Sequence, residues 1–246
     1  MSATQRSDTV SATSIDPITV AVVNNRLFGI VQEMGEAMLR TSYSQILNSS
    51  RDFSVALCDA KGRLIAQAEH IPIHVGAMPF ALEAVLKAFG GDVHPGDIFL
   101  MNDPYHGGSH LPDLTAIIPV YDGARLAYWS LNRAHQSDIG GATHGAYNPA
   151  ATEIWQEGFR VPPIRLGQNG KMRDDLVAML AANVRHPRDF LGDLAAMIGS
   201  AQLGARRMSA LIGELGGAKL DAALEALLDA REATAPAGGQ AVVLFP

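Results

Sequence analysis

The sequence predicts an α+β fold, and three observations carry that reading. A long stretch of helical periodicity opens the chain, short apolar runs of strand length fill its middle around one further helical stretch, and residues 173–231 are helical in pattern again. Strands and helices segregated in this way, rather than alternating one for one, point away from a parallel sheet. The expected architecture is therefore mixed strands with flanking helices, metal-binding loops at strand ends and a helical C-terminal portion.

Residues 1–15, rich in Ser and Thr and poor in large apolar groups, are expected to be a disordered tail. Asp16-Pro17 opens the first helix, because Asp can accept from a free backbone N–H and Pro at the first helical position has no N–H to leave unpaired. Val23, Leu27, Ile30, Val31, Met34 and Met38 recur at helical spacing and give that helix one apolar face, which assigns its methionines to the core. Residues 53–58 and 63–68 read as strands joined by the turn Asp59-Ala60-Lys61-Gly62, and residues 77–89 as a helix stopped by Gly90-Gly91. Short apolar strands follow at 98–101, 114–120 and 126–131. In the helical end, Leu176, Val177, Leu180 and Val184 line one face and Leu220, Leu224, Leu227 and Leu228 another, with breaks at His186-Pro187 and Gly216-Gly217. The Ala, Gly and Pro content from Glu232 to Gln240 reads as flexible, so one domain is expected over 16–231 with a tail over 232–246.

A chain of 246 residues can bury a sizeable core, and its net charge of −6, with Lys and Arg dispersed, offers no basic patch for nucleic acid. One cysteine argues against a disulfide framework and fits a reducing cytoplasm. The polar start lacks an apolar signal core and no apolar run approaches membrane-spanning length, so neither secretion nor membrane insertion is expected.

Residues 101–141 concentrate histidine, aspartate and glycine around one apolar run. His110 and Asp113 stand three apart, and Gly107, Gly108 and Pro112 let the backbone turn so that both converge from one loop. The turn Tyr121-Asp122-Gly123-Ala124 lies between two apolar runs, a hairpin signal that would bring His135 back beside them. Two imidazoles and a carboxylate suit a divalent ion of the zinc, manganese or ferrous type with a position left for water or substrate, whereas the lone Cys58 excludes a thiolate cage. By spacing alone an HxxD pattern is loose, and ordinary turn and core roles stay open for the same residues.

The strings Asn102-Asp103-Pro104-Tyr105, Gly107-Gly108-Ser109-His110-Leu111-Pro112-Asp113, Asn132-Arg133-Ala134-His135 and Asp138-Ile139-Gly140-Gly141 resemble the hydantoinase B/oxoprolinase family. So do Arg51-Asp52-Phe53-Ser54, the run from Gln67 to Gly76, Pro95-Gly96-Asp97 and His186-Pro187-Arg188-Asp189. The family includes N-methylhydantoinase B subunits, the C-terminal half of 5-oxoprolinase, and large subunits of acetone and acetophenone carboxylases. The resemblance runs from about Asp16 to about Leu215 and takes in only the N-terminal half of the family pattern, which bears on activity more than on fold. It implies a metal site of His110, Asp113 and His135, and the expected ion is zinc or manganese. It also implies a hydantoinase A-like partner subunit that binds ATP and phosphorylates a small cyclic amide, after which the metal subunit completes ring opening.

Around these ligands, Asp138 and His144 are candidates to handle a proton, and Asp103 and Arg133 to contact substrate, Arg133 by offering its fork of donors to an anionic intermediate. His70 and His74 are four apart, but Pro72 between them argues against a helical metal pair and for a pocket or structural role. No G-x-x-x-x-G-K-[ST] loop occurs, so ATP is expected on the partner, and no G-x-S-x-G elbow occurs, which leaves metal-assisted hydrolysis as the simplest scheme. The alternatives are a ketone carboxylase subunit using the same ligands, a noncatalytic assembly module, and a non-heme iron oxygenase with a two-histidine, one-carboxylate triad.

Overall fold

The computed structural model describes residues 15–69 and 71–234. Seven strands, β1 (Phe53–Asp59), β2 (Leu64–Glu69), β3 (Ile98–Met101), β4 (Asp113–Asp122), β5 (Arg125–His135), β6 (Ile164–Gln168) and β7 (Lys171–Met172), form one sheet in the order β2-β1-β5-β4-β3-β6-β7. Every neighbouring pair is antiparallel. The helices are α1 (Pro17–Thr41), α2 (Gln45–Asn48), α3 (Pro72–Phe89), α4 (Asp174–Ala182), α5 (Pro187–Leu215) and α6 (Gly217–Thr234). The fold is α+β, as the segregated pattern predicts.

Side chains alternate along a strand, so a sheet covered on both faces must be apolar at successive positions. β1 is buried at every one of its positions for this reason. Val55, Leu57, Leu100, Leu114, Ala116 and Tyr128 pack in one core with apolar residues of α1, α5 and α6. Ala56, Cys58, Phe99, Ile117, Trp129 and Leu131 pack on the other face with Met78, Leu82 and Val85 of α3. Each such side chain of Leu or Met size contributes roughly 1.5–3 kcal/mol by leaving water.

The start of α1 is as read: the Asp16 carboxylate accepts from Ile18 N at 3.2 Å and Thr19 N at 3.1 Å, and the apolar positions from Val23 to Met38 are buried. The breaks at His186-Pro187 and Gly216-Gly217 separate α4 from α5 and α5 from α6.

The start of α3 and the reading of Pro72 need correction. α3 begins at Pro72, five residues before the expected start, because Pro needs no N–H partner in the first helical turn. Pro72 is thus a helix opener, and it places His74 in that first turn. α2 and the β6–β7 hairpin were not expected at all. At the ends, Ile15 packs against the core and α6 continues through Thr234, one and three residues inside the expected tails, whose other residues, 1–14 and 235–246, lie outside the described residues, as does His70.

Candidate metal centre

Strand register assembles half of the site. Asp113, the first residue of β4, is the direct cross-strand partner of His135, the last residue of β5. Asp52 immediately precedes β1, and its carbonyl accepts from His135 N at 3.0 Å. Counting by twos from Ile117, from Trp129 and Leu131, and from Ala56 puts Asp113, His135 and Asp52 on the α3 face of three adjacent strands.

That alignment depends on a β-bulge. Next to the turn, Asp122 pairs with Arg125 and Tyr121 with Leu126, whereas Val120 pairs with Tyr128, so Ala127 is an extra residue in β5. Continued unbroken from the turn, the register would set Ala134 opposite Asp113 and send His135 to the other face.

The loop between β3 and β4 supplies His110. Asn102 clamps it: the side-chain Nδ2 donates to Leu111 O at 2.7 Å and Phe159 O at 3.1 Å, while Oδ1 accepts from Val161 N at 2.7 Å. At Gly107, where φ is +87°, a Cβ would collide with the Phe80 backbone, and at Gly108 it would overlap the carbonyl oxygen of Asn102. These glycines therefore permit the close approach of the loop to α3 and to its own entry.

His110 Nε2 lies 2.7 Å from Asp113 Oδ1, and His135 Nδ1 lies 3.2 Å from that oxygen and 3.2 Å from His110 Nε2. All three donor atoms fall within 4.8 Å of one another. Donors at about 2.0–2.2 Å from one zinc ion stand roughly 3.0–3.5 Å apart, so two of the three separations already fit and the third opens by about half an ångström. Two ring nitrogens and one carboxylate oxygen facing a common point form a donor set suited to a divalent ion.

The second oxygen of Asp113 is occupied by protein. Oδ2 accepts from the Ser109 hydroxyl and lies 3.2 Å from His74 Nε2. His74 Nε2 is also 3.6 Å from Asp52 Oδ1, and Asp52 Oδ2 is 3.9 Å from His135 Nδ1. Burial by itself would raise the Asp113 carboxyl, but bonds from His110, His135 and His74 outweigh it and hold the group well below the usual carboxylate range. Burial likewise pulls His110 down, and the Asp113 carboxylate more than offsets this, leaving the imidazole raised.

The remaining expected site residues are placed differently. Arg133 is fully buried, with Nε on Thr115 Oγ1 at 2.7 Å, Nη2 on Gly107 O at 3.1 Å and Nη1 on His74 O at 3.4 Å. Its fork holds the His110 loop to α3, with all three of these bonds made inside the protein. Asp103 is buried as well, capping the short 3₁₀ turn Pro104–His106 through Tyr105 N and pairing with His106 and Arg160. Asp138 is buried with both oxygens engaged by Arg185 and by Gly140 N, which fastens the loop after β5 to the α4–α5 junction. His144 is exposed in that loop. Asp52, His74 and Ser109 are the members that sequence reasoning did not assign to the centre. A cavity of about 390 Å³ opens beside His110, lined also by Tyr105, Ser109, Glu153, Ile154 and Glu157.

The family model for hydantoinase B/oxoprolinase matches residues 16–238. The chain is 36% identical to the caprolactamase beta subunit of Pseudomonas jessenii over 88% of its own length and 37% of that subunit. It is 36% identical to 5-oxoprolinase of Dictyostelium discoideum over 86% of its length and 17% of that protein. The crystal structure of the ATP-dependent caprolactamase from Pseudomonas jessenii superposes with a TM-score of 0.85 at 35% identity, covering 89% of this chain and 38% of that one. A nucleotide-free acetone carboxylase structure shares the fold, with a TM-score of 0.82 at 24% identity over 88% of this chain and 29% of that one. The chain spans well under half the length of these relatives. With the family model matched across the helices, the sheet and the His110, Asp113 and His135 cluster alike, this chain belongs to the hydantoinase B/oxoprolinase family.

Proposed function

We propose that this chain carries the metal-dependent step of an ATP-dependent ring-opening hydrolase for a small cyclic amide, such as a lactam, a hydantoin or 5-oxoproline. The observation that carries the reading is the convergence of His110, Asp113 and His135 donors beside an open cavity. It is supported by kinship to proteins named caprolactamase and 5-oxoprolinase. A hydantoinase A-like partner binds ATP and phosphorylates the amide oxygen, since this sequence has no phosphate-binding loop.

When bound, a zinc or manganese ion supplies Lewis acidity toward the activated carbonyl and lowers the pKa of water. The chain's own residues do the positioning. Asp113 turns one oxygen to the two imidazoles and keeps the other on Ser109 and His74, while His110, the most exposed of the three ligands, faces the cavity where the amide would lie. Arg133, Asp103 and Asp138 fix the surrounding loops, and exposed His144, in the loop after β5, is the proposed proton carrier. The single buried Cys58 suits a reducing cytoplasm.

The test pairs elemental analysis of wild-type, His110→Ala and Asp113→Ala protein with an assay of ring opening in the presence of ATP and an ATP-binding partner. Wild type should hold about one equivalent of divalent metal and both variants much less. ATP should stay intact with this chain alone. Equal metal in all three proteins would refute the site, and ATP turnover by the purified chain would refute the division of labour.

A further inference from the structure

We infer that His74 is a positioning residue that fixes which oxygen of Asp113 faces the cation, its Nε2–H donating to Asp113 Oδ2. The inference rests on the proposed metal reading of His110, Asp113 and His135. His74 is only 2% exposed and sits in the first turn of α3, on the sheet face that carries Asp113. Its Nε2 has two carboxylate oxygens in front of it, Asp113 Oδ2 at 3.2 Å and Asp52 Oδ1 at 3.6 Å. Among the described residues, its buried Nδ1 has no hydrogen-bond partner.

That asymmetry selects the tautomer. A proton on Nδ1 would be a buried donor with no acceptor among the described residues, and Nε2 would then turn a lone pair toward two carboxylates. With the proton on Nε2, the donor meets its acceptors and only the Nδ1 lone pair is left unpaired. Asp113 thereby receives two donors on Oδ2, the Ser109 hydroxyl and the His74 N–H, and Oδ1 is left to the His110 and His135 nitrogens. A carboxylate held in this way cannot rotate to present both oxygens, so the centre is set for a one-oxygen contact from Asp113. Groups that orient a ligand in this fashion are worth roughly 10–100-fold in metal affinity.

The α3 helix start is itself held in place, because His74 O accepts from Arg133 Nη1 and His74 N donates to Ile71 O at 3.1 Å. The imidazole is therefore anchored from its backbone, and replacing its ring changes what reaches Asp113 more than it changes the helix.

The experiment measures zinc and manganese affinity of the metal-stripped full chain by calorimetry for wild type, His74→Phe and His74→Gln, with a thermal melt of each. His74→Phe keeps a planar ring without a donor, and His74→Gln returns an N–H at about the reach of Nε2. We expect affinity to fall roughly 10–100-fold in His74→Phe and to recover to within a few-fold of wild type in His74→Gln. Proton-nitrogen correlation spectra of the wild-type imidazoles, which need no variant to fold, should show His74 protonated at Nε2. Protonation at Nδ1, or a folded His74→Phe that binds as tightly as wild type, overturns the role of His74 while leaving the metal site standing. Wild type that takes up neither ion overturns the metal reading and this inference with it.

Discussion

Replacing Arg133 by methionine is the sharpest test of what holds the His110 loop. The side chain is of similar length and fills the same buried space, but the three acceptors it serves lose their donor. Two of those bonds, to Thr115 Oγ1 at 2.7 Å and Gly107 O at 3.1 Å, are of ordinary length, and the third, to His74 O at 3.4 Å, is weak. An unpaired buried acceptor costs roughly 1–3 kcal/mol. Against this stands relief from burying a guanidinium: burial depresses Arg133 to about 10, with Asp113 opposing the shift. Netting the two gives a loss of about 2–4 kcal/mol, which for a domain of this size lowers the melting temperature by roughly 5–15 °C. Calorimetric melting should rank wild type highest, Arg133→Lys next and Arg133→Met lowest, since Lys keeps a charge but cannot reach three divergent acceptors at once. A melting temperature for Arg133→Met within about 2 °C of wild type would refute the clamp. Lost ring-opening activity at full stability would return Arg133 to substrate contact.

Other outcomes follow from the same structure. Gly108→Ala places a methyl against the Asn102 carbonyl, so the metal loop should shift, and metal affinity measured by competition with a chelator should fall at least tenfold while the fold persists. Cys58 is buried between sheet and α3, and burial, helped by Asp59, pushes its thiol well above the ordinary range; a thiol reagent should label it only in denaturant, and rapid native labelling would contradict the packing. The Tyr128 hydroxyl is raised by burial and by its bond to Asp221, so its contribution to stability is complete below about pH 10 and is lost as pH climbs above that. Melts between pH 9 and 11 should therefore fall more steeply for wild type than for Tyr128→Phe, and parallel curves would exclude this linkage.

Much of the architecture is legible in the sequence because its central strands are apolar on both faces and the long helices α1 and α5 open on proline and carry one-sided patterns. The run from Ile98 to Met101 is read to the residue, and the strands flanking the Asp122-Gly123 turn differ from expectation only at their ends. The β6–β7 hairpin escapes because its strands are short and carry few apolar residues, although Asn169-Gly170, both at positive φ, is a strong turn signal. His110, Asp113 and His135 are visible because glycine, proline and a hairpin bring them together locally. Asp52 and His74 reach the same centre through pairing with β5 and packing of α3, contacts that sequence spacing does not encode. For His74 the obstacle is specific: Pro72 reads as a breaker from one side and as a helix start from the other.

The extra residue at Ala127 gives the β4–β5 hairpin a parity rule. The tip at Gly123-Ala124 is exposed and lies about nine residues from Asp113, roughly 30 Å along the strand. Residues spliced into the tip change neither strand's count between the bulge and the centre, so a tag, a fluorophore or a whole domain can be carried there without moving a ligand. One residue added to β5 between Tyr128 and His135 does the opposite: it turns the imidazole to the α5 side and brings Ala134 onto the α3 face. Length variation in this hairpin is thus tolerated on one side of Ala127 and forbidden on the other, which makes the bulge a practical boundary for engineering and for judging whether a divergent relative retains its centre.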